Sequence, residues 1–271
     1  MDTDMKNRPI GVFDSGIGGL TVLKEIIGEL PGESTIYLGD TARVPYGIRS
    51  AETVVRYSFE NTSFLSSRNI KLLVVACNTA SAVSLDAIKN RIPIPVIGVI
   101  EPGAKAAARA TKNKKIGVIG TEATVKSSSY TKAIKAIDES IEVCGLSCPL
   151  FVPLVEEGWT EGPVATLVAR EYLGGMKEKG IDTVVLGCTH YPLLKKVIAG
   201  VLGEGVTLID SAVETAHEIR TALKVLGLNS GQNDSPTREF FVTDSPERFL
   251  KVAESFLGQK IVHIEKADVG N

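Results

Sequence analysis

Apolar residues in this chain fall into short unbroken runs separated by longer stretches of helical period. Leu72–Ala76 (L-L-V-V-A) has no polar position, which predicts a strand buried on both faces. Comparable runs at Ile10–Asp14, Thr35–Leu38, Val96–Ile100, Lys115–Thr121, Ile141–Ser147 and Val206–Ile209, and at the head of Thr183–Pro192, predict further strands. Between them, Leu20–Leu30 places Leu23, Ile26, Ile27 and Leu30 on one helical face. Helices are also expected over Ala51–Ser67, Ala80–Asn90, Ala123–Ile137, Val164–Lys179, Leu193–Leu202 and Ala212–Leu226, with an alanine-rich one after Glu101-Pro102. Strands and helices alternating at these lengths predict parallel sheets with right-handed crossovers.

The pattern then repeats. K-I-G-V-I-G-T at 115–121 echoes P-I-G-V-F-D-S at 9–15, and Gly11 precedes Cys77 by nearly the distance at which Gly117 precedes Cys188. We read a duplicated α/β unit, with chance as the alternative because I-G-V-I-G is common strand text. The expected fold is α/β, with two pseudo-symmetric domains, each a parallel sheet flanked by helices, and the active site in the cleft between them. A last strand, helix and strand (Glu239–Thr243, Pro246–Leu257, Ile261–Glu265) are expected to return to the first half. The domains are then 1–98 plus 210–271, and 99–209. Gly227–Thr237, polar and glycine-bearing, is expected to be a mobile loop.

Composition narrows the classes. The chain has 271 residues and a net charge of −2 with scattered basic residues, so no nucleic-acid partner is expected. Met1–Arg8 is polar, unlike a signal peptide, and no apolar run reaches membrane-spanning length. Four cysteines without a secretion signal read as reduced thiols in the cytoplasm. Cys144 and Cys148 lack a second ligand pair, and His190, His217 and His263 are far apart, so no metal site is expected.

The candidate chemistry lies at strand ends. Cys77 follows a strand directly, and Asn78, Thr79 and Ser81 offer caps for a helix starting near Ala80. There the helix dipole and free N–H groups favour a thiolate. Cys188 in T-V-V-L-G-C-T-H-Y-P stands in the same grammar. A single such cysteine is ordinarily an inert buried thiol, whereas two in matching settings point to chemistry. The turn Ser15-Gly16-Ile17-Gly18-Gly19 is not a dinucleotide fingerprint, since Thr21 stands where the third glycine belongs. It is either a plain tight turn or a cradle for a small anion. Tyr46 either covers the core edge or turns its hydroxyl to a cleft, and Glu156-Glu157 is either a solvated turn or sends one carboxylate inward.

If the halves face each other, Asp14, Cys77, Glu156, Cys188 and His190 converge on one cleft beyond the strand ends. Two thiols on opposite sides of a substrate suit proton transfer, one removing a proton from carbon while the other returns one. A cysteine pKa of about 8.5 makes modest perturbations decisive. Asp14 is the available partner for the first thiol, and Glu156 or His190 for the second.

The segments D-S-G-I-G-G at 14–19, P-Y-G at 45–47, A-C-N-T-A-S at 76–81 and G-C-T-H-Y-P at 187–192 resemble the glutamate racemase family in order and spacing over nearly the whole chain. The resemblance implies a cofactor-independent, cytoplasmic isomerase that interconverts L- and D-glutamate and supplies D-glutamate for peptidoglycan. It implies that Cys77 takes the proton from D-glutamate and Cys188 from L-glutamate, with Asp14, Glu156 and His190 assisting. Asp14, Ser15, Tyr46, Gly47, Asn78, Thr79, Thr121, Thr189 and His190 are implied as substrate-binding residues, with Thr124 beside them. The N-terminal extension of relatives activated by a cell-wall precursor is not found here, so unregulated basal activity is expected. Family members are commonly homodimers. The enzymatic alternative is an aspartate racemase, in which a glutamate usually follows where this chain has Thr189-His190. A binding protein without chemistry, or a thiol redox protein, which usually carries C-x-x-C, are alternatives of other classes.

Overall fold

A computed structural model describes residues 3–230 and 235–270. The expected mobile loop at Gly227–Thr237 lies outside the described residues at 231–234. The first half runs α1 (Thr3–Asn7), β1 (Ile10–Asp14), α2 (Leu20–Glu29), β2 (Thr35–Gly39), α3 (Ala51–Ser66), β3 (Leu72–Val75), α4 (Asn78–Lys89), β4 (Val96–Gly98) and α5 (Ile100–Ala110). The second runs β5 (Lys115–Gly120), α6 (Glu122–Lys126), α7 (Ser129–Ile137), β6 (Glu142–Ser147), α8 (Phe151–Glu156), α9 (Pro163–Glu178), β7 (Thr183–Gly187), α10 (Lys195–Leu202) and β8 (Thr207–Asp210). Then follow α11 (Ser211–Leu226), β9 (Arg238–Val242), α12 (Pro246–Leu257) and β10 (Glu265–Lys266).

Two parallel sheets result, ordered β10-β9-β2-β1-β3-β4 and β6-β5-β7-β8. Strands β2-β1-β3-β4 and β6-β5-β7-β8 share one order, so the halves are pseudo-symmetric. The register repeats as well. Phe13 pairs with Val75, two residues before Cys77, and Ile119 pairs with Leu186, two residues before Cys188. Each cysteine therefore leaves the second neighbour of a glycine-bearing first strand at the same height. Strand β9 pairs with β2 from Thr35↔Arg238 to Gly39↔Val242, which returns the chain to the first sheet.

Strands β1, β2, β3 and β7 are buried at every position, because helices cover both faces of each sheet. Strand β3 is also pinned at its N-terminal end. Lys71, 1% exposed, pairs with Glu33 and donates to the carbonyls of Lys6 (2.6 Å) and Leu228 (2.9 Å).

Local structure departs from expectation in four places. The helix expected over 123–137 is broken into α6 and α7 at Ser128, which is left-handed with φ 57°. Ser127 causes the break: its hydroxyl donates to the Thr124 carbonyl and accepts from the Ser129 N–H, competing with helical bonds. Helix α4 begins at Asn78 because Cys77, extended at φ −69° and ψ 121°, is itself the N-cap. A 3-10 turn, Tyr191–Leu194, precedes α10. The last strand is only Glu265–Lys266, since Ile261–Ile264 pair with no strand. Among the described residues no helix is long and apolar enough to cross a membrane.

Candidate active site

Both cysteines stand where a buried strand ends, so their sulfurs are held by the sheet rather than by a loop. Cys77 is 5% exposed; the Ala80 N–H of α4 and the Ser15 hydroxyl both point at its sulfur. These contacts favour a thiolate, as expected of a helix N-terminus. They are overridden. Burial, and next the charge of Asp14, push the Cys77 thiol up to about 12, so it is a neutral thiol near pH 7. Asp14 is wholly buried, with Oδ2 accepting from the Gly16 N–H at 2.9 Å and further N–H groups at Ser15 and Gly19. Burial raises its pKa, partly offset by the charge of His190 and those N–H groups. Its Oδ1 has no hydrogen-bond partner among the described residues.

The second cysteine has a different companion. Cys188 Sγ lies 3.9 Å from His190 Nδ1, and the far ring nitrogen, Nε2, lies 3.1 Å from Glu156 Oε1. Burial works against an imidazolium here, but the contacts with Cys188 and Glu156 outweigh it and push His190 up to about 10. Glu156 ends α8, and its hydrogen bond to His190 holds its carboxyl below the usual range. Of the pair Glu156-Glu157, Glu156 is thus the one turned inward. Phe256 of α12 packs edge-on against the imidazole with ring centres 5.4 Å apart, fixing its plane.

Contacts between the halves close the space around the sulfurs. The Thr21 hydroxyl of α2 donates to the Thr189 carbonyl at 2.9 Å, and Asn78 Nδ2 donates to the Tyr130 hydroxyl at 2.8 Å. The hydroxyls of Thr79 and Thr121 meet at 2.9 Å, and Thr124 joins them at 3.0 Å from Thr121. Gly18 and Gly47 permit the closest approaches. A Cβ on Gly18 would lie 2.5 Å from His190 Nδ1, and one on Gly47 would lie 2.7 Å from Thr121 Cβ.

One cavity of about 50 Å³ lies inside this enclosure, bordered by both cysteines. Ser15, Tyr46, Gly47, Asn78, Thr79, Thr121, Glu156, Thr189 and His190 also line it. Asp14 is set behind Cys77, and Thr124 sits one hydroxyl away from the cavity wall. Tyr46 lines the cavity, and its hydroxyl bonds to Asp40 and Asn61, neither of which does. The sequence reading missed the supporting residues Thr21, Asp40 and Tyr130. Asp40 carried a signal, since it is a carboxylate directly after β2, one position beyond the residue that pairs with Asp14; Tyr130 reads as an ordinary core aromatic. The four cysteines are free, and among the described residues no group of three His, Cys, Asp or Glu side chains forms a metal site.

The enclosure holds two sulfurs in different company: the charge of Asp14 acts on Cys77, and His190, held by Glu156, lies 3.9 Å from Cys188. The family described as Asp/Glu/Hydantoin racemase matches residues 10–219. The chain is 58% identical to a glutamate racemase of Geobacter metallireducens over 94% of each chain. Its structure is similar to that of a glutamate racemase from Bacillus anthracis, with a TM-score of 0.94, 46% identity, and coverage of 97% of this chain and 98% of that one. A glutamate racemase of Francisella tularensis in complex with D-glutamate has a TM-score of 0.92 and 40% identity over 97% and 98% of the two chains. An aspartate racemase homologue from Pyrococcus horikoshii is far more distant, at TM-score 0.58 and 18% identity over 80% of this chain and 99% of that one, a likeness of fold alone.

Proposed function

The chain belongs to the Asp/Glu/hydantoin racemase family, and on that footing we propose that it interconverts L- and D-glutamate by proton transfer between Cys77 and Cys188, without a cofactor. The observation that carries this reading is the shared cavity: both sulfurs border it, and each has a separate acid–base partner behind it. From L-glutamate, the Cys188 sulfur takes the α-proton while the Cys77 thiol delivers one to the opposite face. From D-glutamate, the roles reverse. Burial and the charge of Asp14, which push the Cys77 thiol up, and the contacts that push His190 up favour a neutral thiol at Cys77 and an imidazolium beside Cys188, the form that would accept L-glutamate.

An α-proton of an amino acid is only weakly acidic, so the site must lower the energy of the carbanion. Enclosure between the two halves strengthens every charge interaction in the cavity. Asn78 Oδ1, a buried acceptor without a hydrogen-bond partner among the described residues, suits the substrate's ammonium. The hydroxyls of Ser15, Thr79, Thr121 and Thr189 suit its carboxylates. Asp14 relays a proton to and from Cys77, and His190, held by Glu156, does so for Cys188.

This reading places the enzyme in the cytoplasm, where D-glutamate is consumed in peptidoglycan synthesis, and makes a homodimer the expected assembly. It divides the chain into one domain of residues 1–98 plus 210–271 and another of 99–209. The test is exchange of the α-proton in deuterated water, followed for both enantiomers of glutamate and of aspartate. Rapid exchange and inversion of glutamate alone support the reading, whereas faster exchange of aspartate overturns the substrate. Binding without exchange would make the protein a carboxylate binder. Activity that fails under fully reducing conditions would point to thiol redox chemistry.

A further inference from the structure

A second cavity, of about 190 Å³, adjoins the one between the cysteines. The two share three wall residues, Gly16, Val44 and Glu156. Elsewhere the inner cavity is shut by contact between the halves: Thr79 meets Thr121 at 2.9 Å, and Gly47 and Gly18 press against Thr121 and His190. Val44 is 40% exposed and the Glu156 side chain is 40% exposed, so the shared wall is open to solvent.

The charges of the outer cavity are unequal. Glu156 is paired with His190, and Asp244 with Lys266 at 3.2 Å. Arg248, on the first turn of α12, makes no hydrogen bond or salt bridge among the described residues. Its charge is felt by Glu156 at the neck. The outer cavity therefore carries one positive charge without an ion-pair partner, over a wall that joins the apolar Ile17, Phe249 and Val252 to the polar Thr41 and Ser245. Glutamate near neutral pH carries one net negative charge.

We propose that the anionic amino acid reaches the cysteines through this outer cavity, past the neck between Val44 and Glu156, and that Arg248 is the encounter residue that draws it in. The inference rests on the racemase reading and adds the route and its charge. Arg248 raises the local concentration of the dicarboxylate and the rate at which it enters, and takes no part in proton transfer. Its effect belongs in kcat/KM and is screened by salt.

The test is steady-state racemisation of L- and D-glutamate across a range of ionic strength, with the wild-type chain and the variants Arg248→Gln, Arg248→Lys and Arg248→Glu. Thermal unfolding of each variant reports whether it is folded. The expected result at low salt is a fall in kcat/KM of about three- to tenfold for Arg248→Gln, the scale of one charge acting near a protein surface. Arg248→Glu falls further, Arg248→Lys stays near wild type, kcat changes little, and high salt erases the differences. Val252→Lys, which places a new charge on the same wall, restores much of kcat/KM in the Arg248→Gln background. Unchanged kcat/KM and salt dependence in Arg248→Gln would overturn the proposal. So would a loss confined to kcat with a shifted pH profile, which would mean that Arg248 acts on the chemistry through Glu156. Absence of glutamate racemisation in the wild-type chain would instead overturn the proposed activity.

Discussion

Glu156 holds the far ring nitrogen of His190 at 3.1 Å, turning the imidazole so that its other nitrogen faces the sulfur of Cys188. The carboxylate supports the imidazolium against burial, and His190 is pushed up to about 10. Its charge is present at neutral pH and disappears as the pH rises through that value. In Glu156→Gln, one of the two raising contacts is lost while burial remains. The basic limb of the kcat/KM profile should therefore move to lower pH, with kcat reduced by about tenfold or more. Two enantiomers have equal free energy, so kcat/KM must fall equally in both directions. A pH–rate profile measured with each enantiomer checks this, and an unmoved basic limb would remove His190 from the chemistry.

The two cysteines should be separable by exchange even though neither variant racemises. In Cys188→Ser, Cys77 still takes the α-proton of D-glutamate, and a thiol proton exchanges with solvent before it returns. Deuterium should then enter D-glutamate without inversion, while L-glutamate keeps its proton. Cys77→Ser should show the opposite preference, and each variant should lose racemisation by about 10²- to 10⁴-fold. Nuclear magnetic resonance of the α-proton in deuterated water distinguishes the cases. Near wild-type turnover in either variant would falsify the two-base scheme.

Glycines at the closure should behave unlike glycines on the surface. A Cβ on Gly18 would lie 2.5 Å from His190 Nδ1, so the halves must separate or the imidazole must turn. Gly18→Ala is expected to lose about 1–3 kcal/mol of stability by overpacking, with a drop in kcat of about tenfold or more because the reacting groups are displaced. Gly174, exposed within α9, has nothing within 4 Å of its added Cβ. Gly174→Ala should leave kcat unchanged and stabilise the protein by about 0.5–1 kcal/mol. Thermal unfolding and kinetics on both variants provide the comparison.

The parts of this site that were legible in the sequence are those set by a strand's end. Apolar runs locate β3 and β7, and the residue after such a run must project beyond the sheet, so Cys77 and Cys188 could be placed before any coordinates. Properties set by packing between elements were not legible. A helix N-terminus suggests a thiolate at Cys77, but burial, and next the charge of Asp14, reverse that, and only the packed fold supplies the burial. Tyr46 reads in sequence either as a cover for the core edge or as a cleft hydroxyl, and nothing in the local text announces its bonds to Asp40 and Asn61. Phe151–Glu156 has too few residues for a helical period to show, so Glu156 kept two readings until α8 aimed it at His190.

At the far end of β3, the buried Lys71–Glu33 pair tests whether stability and chemistry are separable in this fold. The Lys71 ammonium donates to the carbonyls of Lys6 and Leu228 as well as to Glu33, whose other oxygen accepts the Ser230 N–H at 2.8 Å. Lys71→Ala leaves a buried carboxylate and two carbonyls without their donor. The expected loss is about 3–5 kcal/mol, as for a broken buried ion pair. The double variant Lys71→Met, Glu33→Gln removes the stranded charge and should recover part of that loss, but not all, because the carbonyls of Lys6 and Leu228 stay unmet. Since the pair lies at the N-terminal end of the strand and Cys77 beyond its C-terminal end, kcat of the folded fraction should hold in both variants. Denaturant unfolding and initial rates measured well below the transition check the two halves of this expectation. A fall in kcat without a fall in stability would mean that the strand transmits its anchor to the sulfur.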